Sequence, residues 1–175
     1  MTTVTTVYAK KRKISVKEFK FNTVQDIIDF SRLPLWDKLN VVKEGISKDQ
    51  LEDIRRIMEA SYAMLYSITG IQSHSFTSKK GQQLFSSRLS EPIVQMLNIY
   101  GWGYAFFGDC GVFNKLMYYG CLHGNIGHLK DLGTTFLGRE YFIPHLVDLN
   151  NEHDNLVAWI RELAPIPAER YKPMP

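Results

Sequence analysis

Residues Ser61 to Lys80 read SYAMLYSITGIQSHSFTSKK. Tyr62, Leu65, Tyr66 and Ile68 recur at spacings that line one face of a helix, and Gly70 supplies the positive backbone angle that ends such a helix and redirects the chain. After the three-residue break Gly70-Ile71-Gln72, Ser73 is placed to cap a second helix. Its exposed side would carry His74, Thr77, Ser78, Lys80 and Gln82, with Ile71 and Phe76 as anchors. An apolar helix, a short glycine-containing turn and a polar second helix make the outline of a helix-turn-helix. A helix laid against DNA must release counterions from phosphates and offer hydrogen bonds to base edges, which asks for lysine, arginine, glutamine, serine and threonine rather than leucine. On this segment alone, an ordinary surface helix in an all-helical domain fits equally well, because short turns between helices are common.

Upstream, the pattern is also helical. Asn22 or Thr23 can cap a short helix running through Phe30, and Pro34 stands where the first turn of the next, LPLWDKLNVVKE, would begin before stopping at Gly45. Ser47 then caps SKDQLEDIRRIMEA, with Gln50 at the capping-box spacing. Leu51, Ile54, Ile57 and Met58 face a core while Glu52, Arg55, Arg56 and Glu59 face water. Before all this, Lys10-Lys11-Arg12-Lys13, Lys17 and Lys20 make a basic arm, read either as a solvated tail or as a phosphate-binding segment. KISVKEFKFN alternates apolar and polar residues, so a short strand is possible there, marginal without a partner.

At 175 residues with 45% hydrophobic content, the chain can bury one good core, or one core plus a small appendage. No window reaches the length of apolar run that a membrane span needs, and MTTVTTVYAKKRKISVK lacks a secretory apolar stretch, so a cytoplasmic protein is expected. Two cysteines, Cys110 and Cys121, are too few for a disulfide framework. The formal charge of +3 permits a polyanionic partner without demanding one.

Downstream, GQQLFSSRLSEPIVQMLNIYGWGYAFFGD places Arg88, a capping signal at Ser90 and Pro92 in a first turn. A long amphipathic helix then runs through Ile93, Leu97, Tyr100, Tyr104 and Phe107. The run GIQSHSFTSKKGQQLFSSRLS from Gly70 to Ser90, the FFGD at Phe106 to Asp109, Phe113, and DLGTTFLG at Asp131 to Gly138 resemble the Xre/MbcA/ParS antitoxin family across roughly residues 45 to 150. Departures include Lys115 near the place of a family tryptophan and Leu129 where a proline is usual. The resemblance implies a Xre-like helix-turn-helix joined to a C-terminal helical toxin-binding domain. It also implies a dimer that binds its own operator and neutralises a RES-domain toxin, an ADP-ribosyltransferase-like enzyme that acts on NAD.

Two sharper motifs stand beside it. Cys110, Cys121, His123 and His128 are zinc-type ligands, but C-x-H-x4-H is not a common structural-zinc spacing, and the three glycines of GCLHGNIGH suit a tight connection between helices. No metal and no cofactor are expected. His145, His153, Asp148, Asp154, Ser61 and Ser67 stand in no nucleophile-elbow or phosphate-loop context, so no enzyme is expected. After Leu163, Pro165, Pro167, Pro173 and Pro175 favour an extended tail, with Tyr171 and Met174 beside Arg170 and Lys172. Such a strip can dock in a partner's groove or remain disordered.

The expectation is therefore an all-α protein: a basic arm over 1–22, a helical domain with the helix-turn-helix over 23–107, a toxin-binding helical domain over 108–163 and a proline-rich tail over 164–175. DNA contacts would come from Gln72, Ser73, His74, Thr77, Lys79 and Lys80, with Gln82 and Arg88 nearer the backbone. By the resemblance, toxin contacts would come from His123, Asn125, His128, Lys130, Asp131, Thr135, Arg139, Arg161, Arg170 and Tyr171. An immunity or protein-binding module whose helix-turn-helix no longer binds DNA is the alternative.

Overall fold

The computed structural model describes residues 19–119, and these are mostly helical, with no strand among them. Seven helices follow in order: α1 Val24–Ser31, α2 Leu35–Glu44, α3 Lys48–Ile57, α4 Tyr62–Thr69, α5 Ser73–Thr77, α6 Ser87–Phe107 and α7 Cys110–Tyr119. Among the described residues the fold is all-α, as the helical periodicity of the sequence implies.

Local chemistry sets the boundaries. The Asp26 carboxylate accepts from the backbone N–H of Asn22 and of Thr23, each at 2.8 Å, and so closes the start of α1. These same bonds hold the Asp26 carboxyl below its ordinary pKa, because they favour the charged form. α2 starts after Pro34 and ends at Gly45, where φ is 90°. The expected capping box of α3 is complete: Gln50 N–H donates to Ser47 Oγ at 3.2 Å, and Ser47 N–H donates to Gln50 Oε1 at 3.0 Å. α3 is shorter than its apolar spacing suggests. It stops at Ile57, and Glu59 takes a positive φ of 52° before Ser61 caps α4.

α6 is the central strut, and its start corrects the sequence expectation. Ser86, not Ser90, is the N-cap, so the helix begins just over one turn early and carries Pro92 inside it. Ser90 is fully buried and its hydroxyl is committed elsewhere: it accepts from Ile46 N–H at 3.0 Å and donates to the Phe85 carbonyl at 3.3 Å. Pro92 withholds one intrahelical bond, that to the carbonyl of Arg88, which lies on an exposed residue.

Two glycines on α6 allow its neighbours to approach. A Cβ on Gly101 would lie 2.6 Å from the Ile27 carbonyl oxygen of α1, and one on Gly103 would meet the Phe113 ring of α7. Phe113 is fully buried and packs edge-on against Tyr100 at 5.1 Å and Tyr104 at 5.7 Å. Asn114 ties α7 to the end of α3, accepting from the Tyr104 hydroxyl at 2.9 Å and donating to the Met58 carbonyl at 2.7 Å. Burial pushes the Tyr100 and Tyr104 phenols far up, so both stay neutral.

α2 is moored differently. Val41 is its one buried residue, whereas Leu35 and Trp36 at its start are 68% and 71% exposed. Lys38 reaches out of α2 to donate to the Ser31 carbonyl at the end of α1 and to Asn98 Oδ1 of α6 at 2.7 Å. Phe19 and Phe21, which the sequence places in the basic arm, cluster with Phe30 of the last turn of α1.

Candidate nucleic-acid interface

The α4–α5 junction is built from the residues that the sequence singles out. Leu65 and Ile68 are buried, while Tyr62 and Tyr66 pack against the core from its edge. Gly70 adopts the left-handed conformation with φ 66°, and its N–H donates to the Tyr66 carbonyl at 2.8 Å. Thr69 steadies the turn by donating its hydroxyl to the Leu65 carbonyl at 2.7 Å and accepting from Ile71 N–H at 3.3 Å. Ile71 is buried and pulls the turn inward.

α5 departs from the expectation in two respects. Gln72 holds the N-cap position, and Ser73 is the first helical residue rather than the cap. The helix also ends at Thr77, after only five residues. Serine, histidine and threonine are weak helix formers, and their hydroxyls compete locally for backbone groups. Thr77 Oγ1 donates back to the Ser73 carbonyl at 3.0 Å, and Ser78 Oγ to the Ser75 carbonyl at 3.1 Å.

One side chain fixes this short helix. Phe76 is buried, with ring centroids 5.5 Å from Tyr62, 5.8 Å from Tyr66 and 6.3 Å from Phe85. Lys48 Nζ sits 4.7 Å from the same ring centre, a cation–π contact that brings a positive charge from α3 beside α5. The sequence does not single out Lys48. Only its position directly after the Ser47 cap is visible there, and nothing local announces its contact with a residue 28 positions away.

Following α5, Gln83 N–H closes a turn on the Lys80 carbonyl at 3.0 Å, with Gly81 at φ 52°. The chain then pairs with the start of α3. Asp49 N–H donates to the Gly81 carbonyl, Lys48 N–H to the Gln83 carbonyl and Phe85 N–H to the Ile46 carbonyl, all within 3.1 Å. Gln82 Nε2 donates to Asp49 Oδ2 at 2.7 Å.

Of the eight candidate DNA contacts, Gln72, His74, Thr77, Lys80, Gln82 and Arg88 are exposed, and Ser73 and Lys79 are half-buried. Gln72 through Thr77 share α5 and its cap. Lys80 and Gln82 lie on the turn bound to α3, and Arg88 belongs to the first turn of α6. The candidate toxin contacts His123, Asn125, His128, Lys130, Asp131, Thr135, Arg139, Arg161, Arg170 and Tyr171 lie outside the described residues. So do Cys121 and the histidines of the zinc-type loop; among the described residues, no group of three histidine, cysteine or acidic side chains is placed to hold a metal. Burial raises the pKa of the free Cys110 thiol, which keeps it protonated. No helix among the described residues is long and apolar enough to cross a membrane. Compared with known proteins, the chain matches no family model, no curated protein and no solved structure.

Proposed function

We propose that this chain is the antitoxin half of a type II toxin–antitoxin pair, a cytoplasmic homodimer without catalytic activity. It binds operator DNA through a helix-turn-helix formed by α4 and α5, and it neutralises a RES-domain toxin through residues 108–163 and the tail. The observation that carries the DNA-binding half is the left-handed cap at Gly70, which hands the chain from an apolar helix to an exposed polar one pinned by Phe76. In this reading Gln72, Ser73, His74 and Thr77 face bases. Lys79, Lys80, Gln82 and Arg88 face phosphates, and Lys48 joins them. The toxin-binding half rests on the family resemblance of Asp131 to Gly138.

A mobility-shift titration with the DNA upstream of the gene, repeated across salt concentrations, tests the first half. Binding should weaken steeply with salt, and Lys79→Ala with Lys80→Ala should lower the log–log salt slope by about 0.9 for each phosphate left unneutralised. Salt-independent retention, or none at all, removes operator binding. Co-expression with the toxin encoded by an adjacent RES-type gene tests the second half, with restored growth as the expected result.

The brevity of α5 favours one other reading. Five residues span about 7.5 Å, little for a helix that must cross a major groove. A protein-binding or immunity module that keeps the turn but not the DNA affinity would present the same surface, and it would neutralise a toxin while giving no shift.

A further inference from the structure

We propose that the cleft beside the first turn of α3 is the seat of a basic, extended segment, and that this segment is the chain's own residues 1–17. The inference is independent of the DNA-binding reading.

The cleft measures about 950 Å³. Its lining combines apolar surface from Phe19, Phe21 and Leu84, the last 42% exposed, with the carboxylates of Asp49 and Asp53 and one ammonium, Lys20. Asp49 accepts from the neutral amide of Gln82, so its charge is not cancelled there. Asp53 pairs with Arg56, an exposed pair of small worth. A ligand suited to this lining is cationic, with aliphatic or aromatic side chains between its charges.

The chain departs from this cleft. Phe19 forms part of its wall, where its carbonyl accepts from Gln50 Nε2 at 3.0 Å and its ring packs 5.3 Å from Phe21 and 5.2 Å from Phe30. The point from which the first eighteen residues lead off is therefore fixed at the site. Residues 1–17 carry Lys10, Lys11, Arg12, Lys13 and Lys17 and no carboxylate, with Tyr8, Ile14 and Val16 interspersed. Lys17 is two residues from Phe19, within about 7 Å along an extended chain. A segment tethered this closely meets the cleft at an effective concentration in the millimolar range. Charge pairs too weak to retain a free peptide are then sufficient, and an untethered basic peptide or a second copy competes poorly.

Limited trypsin digestion of the full chain tests the proposal, with cuts after Lys10, Lys11, Arg12, Lys13 and Lys17 timed by mass spectrometry. A synthetic peptide of residues 1–18 serves as the unprotected reference. The full chain should be cut at these sites at least about fivefold more slowly than the peptide. The double variant Asp49→Asn/Asp53→Asn should recover most of that difference, as two exposed charge pairs allow. Asparagine at 49 still accepts from Gln82, so the fold is preserved, and unchanged helical circular dichroism verifies this. Equal rates for chain and peptide, or a double variant cut no faster than the parent, would overturn the proposal. Protection that grows with protein concentration would also overturn it, since the arm would then sit on a neighbouring copy.

Discussion

The junction of α6 with α1 and α7 and the junction of α4 with α5 each turn on glycine, yet for opposite reasons. At Gly101 and Gly103 a hydrogen in place of a side chain lets another helix come close, and the space a Cβ would need is already taken by the Ile27 carbonyl and the Phe113 ring. At Gly70 nothing lies within 4 Å of where a Cβ would stand, and the residue is required by its positive φ alone. The first junction is broad and aromatic. The second is narrow, with Phe76 and Ile71 as its buried anchors and hydroxyls bonding back to nearby carbonyls for the rest. A protein built this way concentrates its stability on one side and leaves an adaptable polar edge on the other.

Four experiments bear on that contrast. Phe113→Ala should cost the most, about 3–5 kcal/mol, since it empties the centre of the α6–α7 contact. Chemical denaturation measures this, and a loss under about 1 kcal/mol would mean that the aromatic side is not the stability centre. Gly101→Ala should cost about 1–3 kcal/mol through overpacking, and Gly70→Ala about 1–2 kcal/mol through backbone strain. The decisive comparison is asparagine: Gly70→Asn should be milder than Gly70→Ala, because asparagine tolerates the left-handed region, whereas Gly101→Asn should be worse than Gly101→Ala. The same ordering at both sites would erase the distinction between them.

Lys79→Ala with Lys80→Ala should change folding stability by less than about 0.5 kcal/mol while weakening DNA retention, separating the polar edge from the core. The smallest effect concerns acid stability. The Asp26 carboxyl is depressed by the backbone N–H groups of Asn22 and Thr23, so its contribution is present above the unfolded carboxylate pKa and is lost as pH falls through the lower folded value. Asp26→Asn should therefore flatten the acid limb of a stability–pH curve below about pH 4 and leave the neutral region otherwise unchanged in shape.

The helical plan was legible wherever a boundary is decided locally. Ser47 with Gln50, and the glycine stops at Gly45 and Gly70, need no information beyond their neighbours, and the structure places each as read. Legibility failed where a distant partner decides. SSRLSEP holds three serines able to start a helix, and Ser90 loses the capping role because Ile46, 44 positions upstream, takes its hydroxyl. α5 ends early for a related reason: the chain after it pairs its backbone with residues 46–49, a bond set that no periodicity in residues 73–85 encodes. The exposed polar character of residues 72–82 was visible in composition. Their division between α5 and a turn held against α3 was not, nor was the approach of Lys48 to Phe76.

The single ammonium of Lys38, which fastens α2 to the last carbonyl of α1 and to Asn98, has a dynamic corollary. With one residue submerged and an indole protruding at its front, α2 should be the first long segment to peel away from the bundle. Its amides would trade deuterium well ahead of those in the middle of α6.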